Sequence, residues 1–261
     1  MIEVAQERIE EFNRQGFTVL DEVIGPETLA RLREECAYFL GYTDAKMDAD
    51  GVTTRGITHR GKRYFISGQH RKSRYMPTFV FGDLMADVTR AFLGDTAYLF
   101  VEQWVVKGPE QGMQFAWHQD AGYVYTLDPG NVPPPYITCW CALDDMTEEN
   151  GTIYVLPHDR AETDRQVVAH ERESGTNDLV GYRGEDPGEI VVCKAGSIAV
   201  FSSTSLHRSS ANRTPSLRRA YLAQYSAEPI LASNGKLWAF ATPFTENGQR
   251  VYDSTAELRA P

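Results

Sequence analysis

The 261-residue chain has only four cysteines, Cys36, Cys139, Cys141 and Cys193, and no C-x-x-C pair, which excludes a disulfide framework and a zinc ribbon. They read as reduced, small hydrophobic residues. No uninterrupted apolar run approaches the ~18 residues of a membrane helix. Basic charge is also short: 26 Lys and Arg stand against 36 Asp and Glu, and the net charge of −10 opposes binding to nucleic acid or anionic lipid. The opening "MIEVAQERIEEF" lacks the basic and apolar regions of a secretory signal, so a cytoplasmic location is expected. No internal repeat is present, and nothing signals an oligomeric state.

What is present is an ordinary globular composition, 42% hydrophobic and 11% aromatic, read as one domain over 1–261. Helices dominate 1–95. Ala5, Ile9 and Phe12 form a helical stripe closed by Gly16, and Pro26 opens a second helix whose stripe is Leu29, Leu32, Cys36 and Leu40, with Gly41 as its stop. "FTVLDEVI" between them is strand-like. Residues 42–78 are polar and aperiodic, which predicts a long loop, and "FGDLMADVTRAFLG" predicts a third helix. From 96 to 226 the pattern becomes short β-rich runs, among them "AYLFVEQWVVK", "FAWHQD", "YITCWCALDD", "GTIYVLP" and "RRAYLAQYS". That spacing predicts a sandwich or barrel, followed by a tail over 227–261. The "KAG" turn at 194–196 is expected to close a hairpin, and the charged stretch between Pro157 and Pro187 to form a lid.

"FAWHQD" places His118 and Asp120 two residues apart, so on a strand both side chains project to one face. An imidazole and a carboxylate suit a divalent transition metal, and one more imidazole completes a two-histidine, one-carboxylate triad. H-x-D alone is a weak signal, because such pairs commonly bond each other or water. His207, directly after the strand-like "GSIAVF", is the candidate third ligand. His59, His70, His158 and His170 lack such a context and read as exposed polar residues. Three protein ligands leave room for a chelating keto acid and dioxygen. A keto-diacid such as 2-oxoglutarate further requires a cation for its distal carboxylate, which a guanidinium binds best. Arg218, at the start of "RRAYLAQYS", is the candidate, with Arg219 facing the other way.

Taken together, "WHQD", "WCALDDMTEENGTIYVLP" and "GSIAVFSSTSLHRSSANRTPSLRRAYLAQYS" resemble the phytanoyl-CoA dioxygenase family of iron(II)- and 2-oxoglutarate-dependent oxygenases. The resemblance extends over roughly Gly16 to Ser226. It implies a double-stranded β-helix, or jelly roll, mainly β with flanking helices. It implies iron(II), 2-oxoglutarate and O2 as cofactors, with His118, Asp120 and His207 as iron ligands and Arg218 as the 2-oxoglutarate clamp. Trp140, Ser209 and Gln103 match positions around the cosubstrate; the plainer reading is a core aromatic for Trp140 and strand hydrogen bonding for Gln103 and Ser209. The implied reaction is oxidation, above all hydroxylation, of a small molecule with release of succinate and CO2. By the same resemblance Asp120 favours hydroxylation, desaturation or ring closure over halogenation, which needs a small residue there. Two departures stand out: His158, Asp159 and Arg160 replace the usual Gly-Ser-His after "YVLP", and Ser197 replaces an aspartate.

Two other readings share the triad: a cupin-like metal enzyme that does not use 2-oxoglutarate, and a non-catalytic metal- or ligand-binding jelly roll. The stretch Arg55–Tyr75 carries seven lysines and arginines and no acid. It reads either as an attractor for an anionic substrate or as a solvated loop.

Overall fold

Helices α1 (Gln6–Gln15) and α2 (Pro26–Ala49) flank the first strand, β1 (Phe17–Leu20), in the computed structural model, which describes residues 2–110 and 112–253. Gly16 takes φ 84° at the end of α1, and its N–H donates to Phe12 O. Contrary to expectation, α2 does not stop at Gly41. That glycine is exposed, while Met47 beyond it is fully buried. An interior glycine costs about 1 kcal/mol, and burial of a methionine side chain contributes about 1.5–3 kcal/mol. Packing therefore overrides the local stop.

The expected loop over 42–78 is also largely ordered. It holds the end of α2, then β2 (Thr54–Arg55), β3 (Thr58–His59), β4 (Arg63–Ser67), a 3-10 turn at His70–Lys72, and α3 (Met76–Val80). Charge concealed β4, because Arg63 occupies a buried position on it. The third expected helix is α4 (Asp83–Phe92).

Next come β5 (Ala97–Lys107), β6 (Phe115–His118), α5 (Asp120–Leu127), β7 (Tyr136–Ala142) and β8 (Ile153–Val155). The short strands β9 (Glu171–Arg172), β10 (Leu179–Val180) and β11 (Glu189–Ile190) precede β12 (Ile198–Ser202), β13 (His207–Ser209) and β14 (Arg218–Ser226). The tail adds β15 (Thr242–Glu246), which pairs with β5, and β16 (Gln249–Arg250). The larger sheet has the order β1-β12-β7-β14-β5-β4-β3-β2, and the smaller one β11-β8-β13-β6. Both are antiparallel.

Strand alternation sorts the two faces of the larger sheet. Cys139, Cys141, Tyr221 and Tyr225 pack outward in a cluster with Leu32, Cys36 and Met85 of α2 and α4. Trp140, Phe201 and Leu222 point the other way and meet Ile153 and Val155 of the smaller sheet. All four cysteines are free and buried. The "KAG" turn closes no hairpin, because β11 pairs with β8 in the smaller sheet and β12 joins the larger one. Gly196, at φ 95°, instead carries the chain between sheets. The 157–187 segment is no loose lid either: it contains the β9–β10 pair and buries His170, Asp178 and Leu179. No helix among the described residues is long and apolar enough to cross a membrane.

Candidate active site

Strand pairing brings His118 and His207 together. β13 lies between β6 and β8, and in its register His207 sits directly opposite His118, with ring centroids 4.0 Å apart. The spacing of His118 and Asp120 works differently from the expected shared strand face. β6 ends at His118, Gln119 is still extended at φ −107° and ψ 141°, and Asp120 is the first residue of α5. An acidic residue suits a helix N-terminus, and the turn returns the carboxylate to the imidazoles. Asp120 Oδ1 lies 3.8 Å from His118 Nε2 and 3.7 Å from His207 Nε2. The three donor atoms lie within 4.8 Å of one another.

The protonation pattern leaves these donors facing inward. His118 Nδ1 is 2.9 Å from Ala116 O and His207 Nδ1 is 3.1 Å from Ser205 O. A carbonyl only accepts, so each Nδ1 carries a proton, and in a neutral ring that leaves the lone pair on Nε2. Burial, followed by the proximity of His207, holds His118 well below the usual histidine range, in its neutral form. Thr138 Oγ1 donates to Asp120 Oδ2 at 2.5 Å, and Gln224 Nε2 donates to Thr138 Oγ1 at 3.1 Å. One carboxylate oxygen is thereby fixed while the other faces both imidazoles. The 3.7 and 3.8 Å separations lie inside the about 4.2 Å that two metal–ligand bonds of about 2.1 Å can span, so the residues fit a divalent metal.

A cavity of about 210 Å³ opens from the triad and is lined by Arg218, Trp140, Ser209 and Gln103 as well. Arg218 is fully buried; Nη2 donates to Gly151 O at 3.1 Å, Nη1 reaches Val105 O at 3.4 Å, and Nε has no partner among the described residues. Burial pulls its pKa down to about 10, partly offset by Asp144. The guanidinium lies 5.6 Å from the Trp140 ring centroid. Arg219 faces away and donates to Asp144, as alternation requires. In the register of β4, β5 and β14, the buried Arg63, Lys107 and Arg218 form a row, in which burial and the two guanidinium groups push the Lys107 amine well below its usual range. Asp178 pairs with Arg63, whereas no carboxylate among the described residues forms an ion pair with Arg218, whose charge suits a carboxylate guest.

Several supporting residues gave no sequence signal. Gln119 is fully buried: its N–H donates to His170 Nε2 at 2.9 Å, and its side chain bonds Gln166 O, Thr204 O and Val168 N. It ties the ligand-bearing turn to both the 157–187 segment and the approach to His207. His170, expected to be exposed, is buried, and a Cβ on Gly122 would come within 2.1 Å of its ring. His70 is likewise buried, against Glu102, and His158 is half-buried beside Ser205. His59 lies partly buried on β3.

A profile of the phytanoyl-CoA dioxygenase (PhyH) family matches residues 12–220. The chain is 25% identical over 226 residues to the ectoine dioxygenase of Nocardia farcinica, covering 82% of this chain and 74% of that one. It is 25% identical over 242 residues to a probable alpha-ketoglutarate-dependent hypophosphite dioxygenase of Stutzerimonas stutzeri, covering 85% and 78%. The crystal structure of EctD from S. alaskensis with 2-oxoglutarate and 5-hydroxyectoine matches with a TM-score of 0.67 and 22% identity, covering 91% of this chain and 86% of that one. That likeness establishes the jelly-roll fold. Since the family profile takes in most of its length, the chain belongs to the phytanoyl-CoA dioxygenase family of iron(II)- and 2-oxoglutarate-dependent oxygenases.

Proposed function

We propose that His118, Asp120 and His207 hold iron(II), that Arg218 clamps the distal carboxylate of 2-oxoglutarate, and that the protein hydroxylates a C–H bond of a small molecule. When bound, the iron with 2-oxoglutarate and O2 supplies oxidative decarboxylation, giving succinate, CO2 and the oxidising power for the substrate. The observation that carries this reading is the buried, incompletely partnered Arg218 guanidinium in the same cavity as the triad. An enclosed cation of that kind favours a carboxylate through charge-assisted hydrogen bonds.

The remaining residues bind and orient. Trp140 walls the clamp, Ser209 and Gln103 offer neutral hydrogen-bonding groups, and Gln103 Oε1 accepts from Ser67 Oγ at 3.1 Å. Thr138 and Gln224 hold Asp120. Phe201 and Phe115 pack against the two imidazoles at 4.5 Å and limit the entry of water. The free, buried cysteines accord with a reducing, cytoplasmic setting. In the test, anaerobic addition of iron(II) and 2-oxoglutarate gives a weak visible charge-transfer band, and air then gives succinate. Both are lost in His207→Ala, while Arg218→Ala needs far more 2-oxoglutarate. Succinate formation that does not depend on Arg218 would refute the clamp assignment.

A further inference from the structure

The cavity is charged at one end only. Apart from the triad, the ionisable side chains among its lining residues are Arg208, Arg218, Tyr123 and Tyr136, and burial pushes both tyrosines up, which keeps them neutral. The Arg208 guanidinium is engaged elsewhere, 3.8 Å from the Tyr154 ring centroid and within 3.3 Å of Pro187 O. Arg218 is assigned to the cosubstrate. The other end is formed by Phe100, Val124, Tyr136 and Trp238, and Gln224, opposite Val101 on β5, stands between it and the clamp in the strand register. Ile230 and Trp238 pack there with Phe100, Val124 and Tyr136. The two segments that flank this end, 127–132 and 230–238, are joined by Ser233 donating to Asp128 and by Asn131 donating to Leu231 O. They expose Leu127, Val132, Leu231 and Leu237, so apolar surface continues from the cavity to the outside.

The basic stretch does not change this balance. Arg55 pairs with Asp50, Arg60 with Asp44 and Asp48, and Arg63 with Asp178. Arg71, Lys72 and Arg74 line a different groove together with Arg250. From this stretch only Ile57 and Phe65 reach the cavity, and both are apolar.

We infer that the oxidised substrate is an uncharged, largely apolar molecule of ring size or larger, which is received at the Phe100, Tyr136 and Trp238 end of the cavity and is not an oxyanion or an acyl carboxylate. A second anion would be stripped of water beside Asp120 with no cation left to receive it, whereas an apolar guest gains from leaving water. A neutral hydroxyl or carbonyl would meet Gln224. The inference rests on the proposed function, since it counts Arg218 as occupied.

The test uses the full chain with iron(II) and saturating 2-oxoglutarate under anaerobic conditions. Calorimetric titration compares 2-naphthylmethanol with its matched anion 2-naphthoate, and with hypophosphite. The alcohol is expected to bind at least about tenfold more tightly than 2-naphthoate, and hypophosphite not to compete. Phe100→Ala weakens the alcohol severalfold; Trp238→Ala, at a partly exposed position, provides the same reading should Phe100→Ala fail to fold. Val101→Lys shifts the preference toward 2-naphthoate. Equal or tighter binding of 2-naphthoate or hypophosphite overturns the inference. Succinate formation in air without any probe reports on the oxygenase reading separately: its absence with the naphthyl preference intact refutes that reading and not the selectivity of the cavity.

Discussion

Arg63 and Arg218 are both buried to within 1% of complete enclosure, yet they are treated in opposite ways. Arg63 is saturated: it makes a two-pronged pair with Asp178 and donates to Ile57 O, Gln114 O and Thr176 O. Arg218 has two carbonyls, one aromatic face and an idle Nε. The first arginine joins the 55–63 hairpin to the 157–187 segment; the second lines the cavity beside the triad and is the one proposed to take an anion. A buried cation that the protein leaves incompletely paired is therefore better evidence of a binding site than one it has paired.

The largest expected effect breaks the saturated side. Asp178→Ala strands the Arg63 charge and is expected to lower stability by about 3–5 kcal/mol, read as a shift in the urea midpoint, with 2-oxoglutarate affinity in the surviving folded fraction little changed. Breaking the other side reverses the pattern. Arg218→Ala is expected to cost about 2–5 kcal/mol in 2-oxoglutarate binding, or roughly thirtyfold and upward, with unfolding of the ligand-free protein almost unaltered. The two arginines also differ in response to ligand. Near a hundredfold excess over Kd, 2-oxoglutarate should stabilise the wild type by about 2.7 kcal/mol and leave Arg218→Ala where it was.

A smaller effect tests Asp120, one of whose oxygens is paired and the other open. Thr138→Val removes the hydroxyl donor and is expected to weaken iron(II) binding by about 10–100-fold, measured by competition with a chelator. The smallest concerns His170. Burial, only partly offset by donation from Nδ1 to Val168 O, holds its pKa below 6.5 in the folded chain. The unfolded chain then binds more protons once the pH drops under about 6.5. Stability from this residue is complete above that value and is lost as the pH falls through the folded pKa. Between pH 7.5 and 5.5 the melting temperature of wild type should fall further than that of His170→Asn.

The sequence showed the parts of the site that rest on residue type and alternation. His118, Asp120, His207 and Arg218 do meet around one cavity, and Arg219 does turn away. The same alternation along β7 turns Cys139 and Cys141 outward and Trp140 inward. What stayed hidden depends on partners remote in the chain. Arg63 looks like a surface charge until Asp178, 115 residues later, accounts for it. The stop at Gly41 fails because of packing at Met47, and His170 reads as polar until Gln119 and two glycines enclose it. The Asp120 turn was misread because two residues of sequence cannot tell a continuing strand from one that hands over to a helix.

The strand that carries Arg218 has a consequence for synthesis. β14 pairs with β7 on one side and β5 on the other, so a nascent chain still lacking it presents two long unpaired borders instead of one. Such borders invite pairing with neighbouring polypeptides. The interval before Ser226 leaves the ribosome is thus the time of greatest exposure to aggregation, and the wait for a late central strand also slows folding.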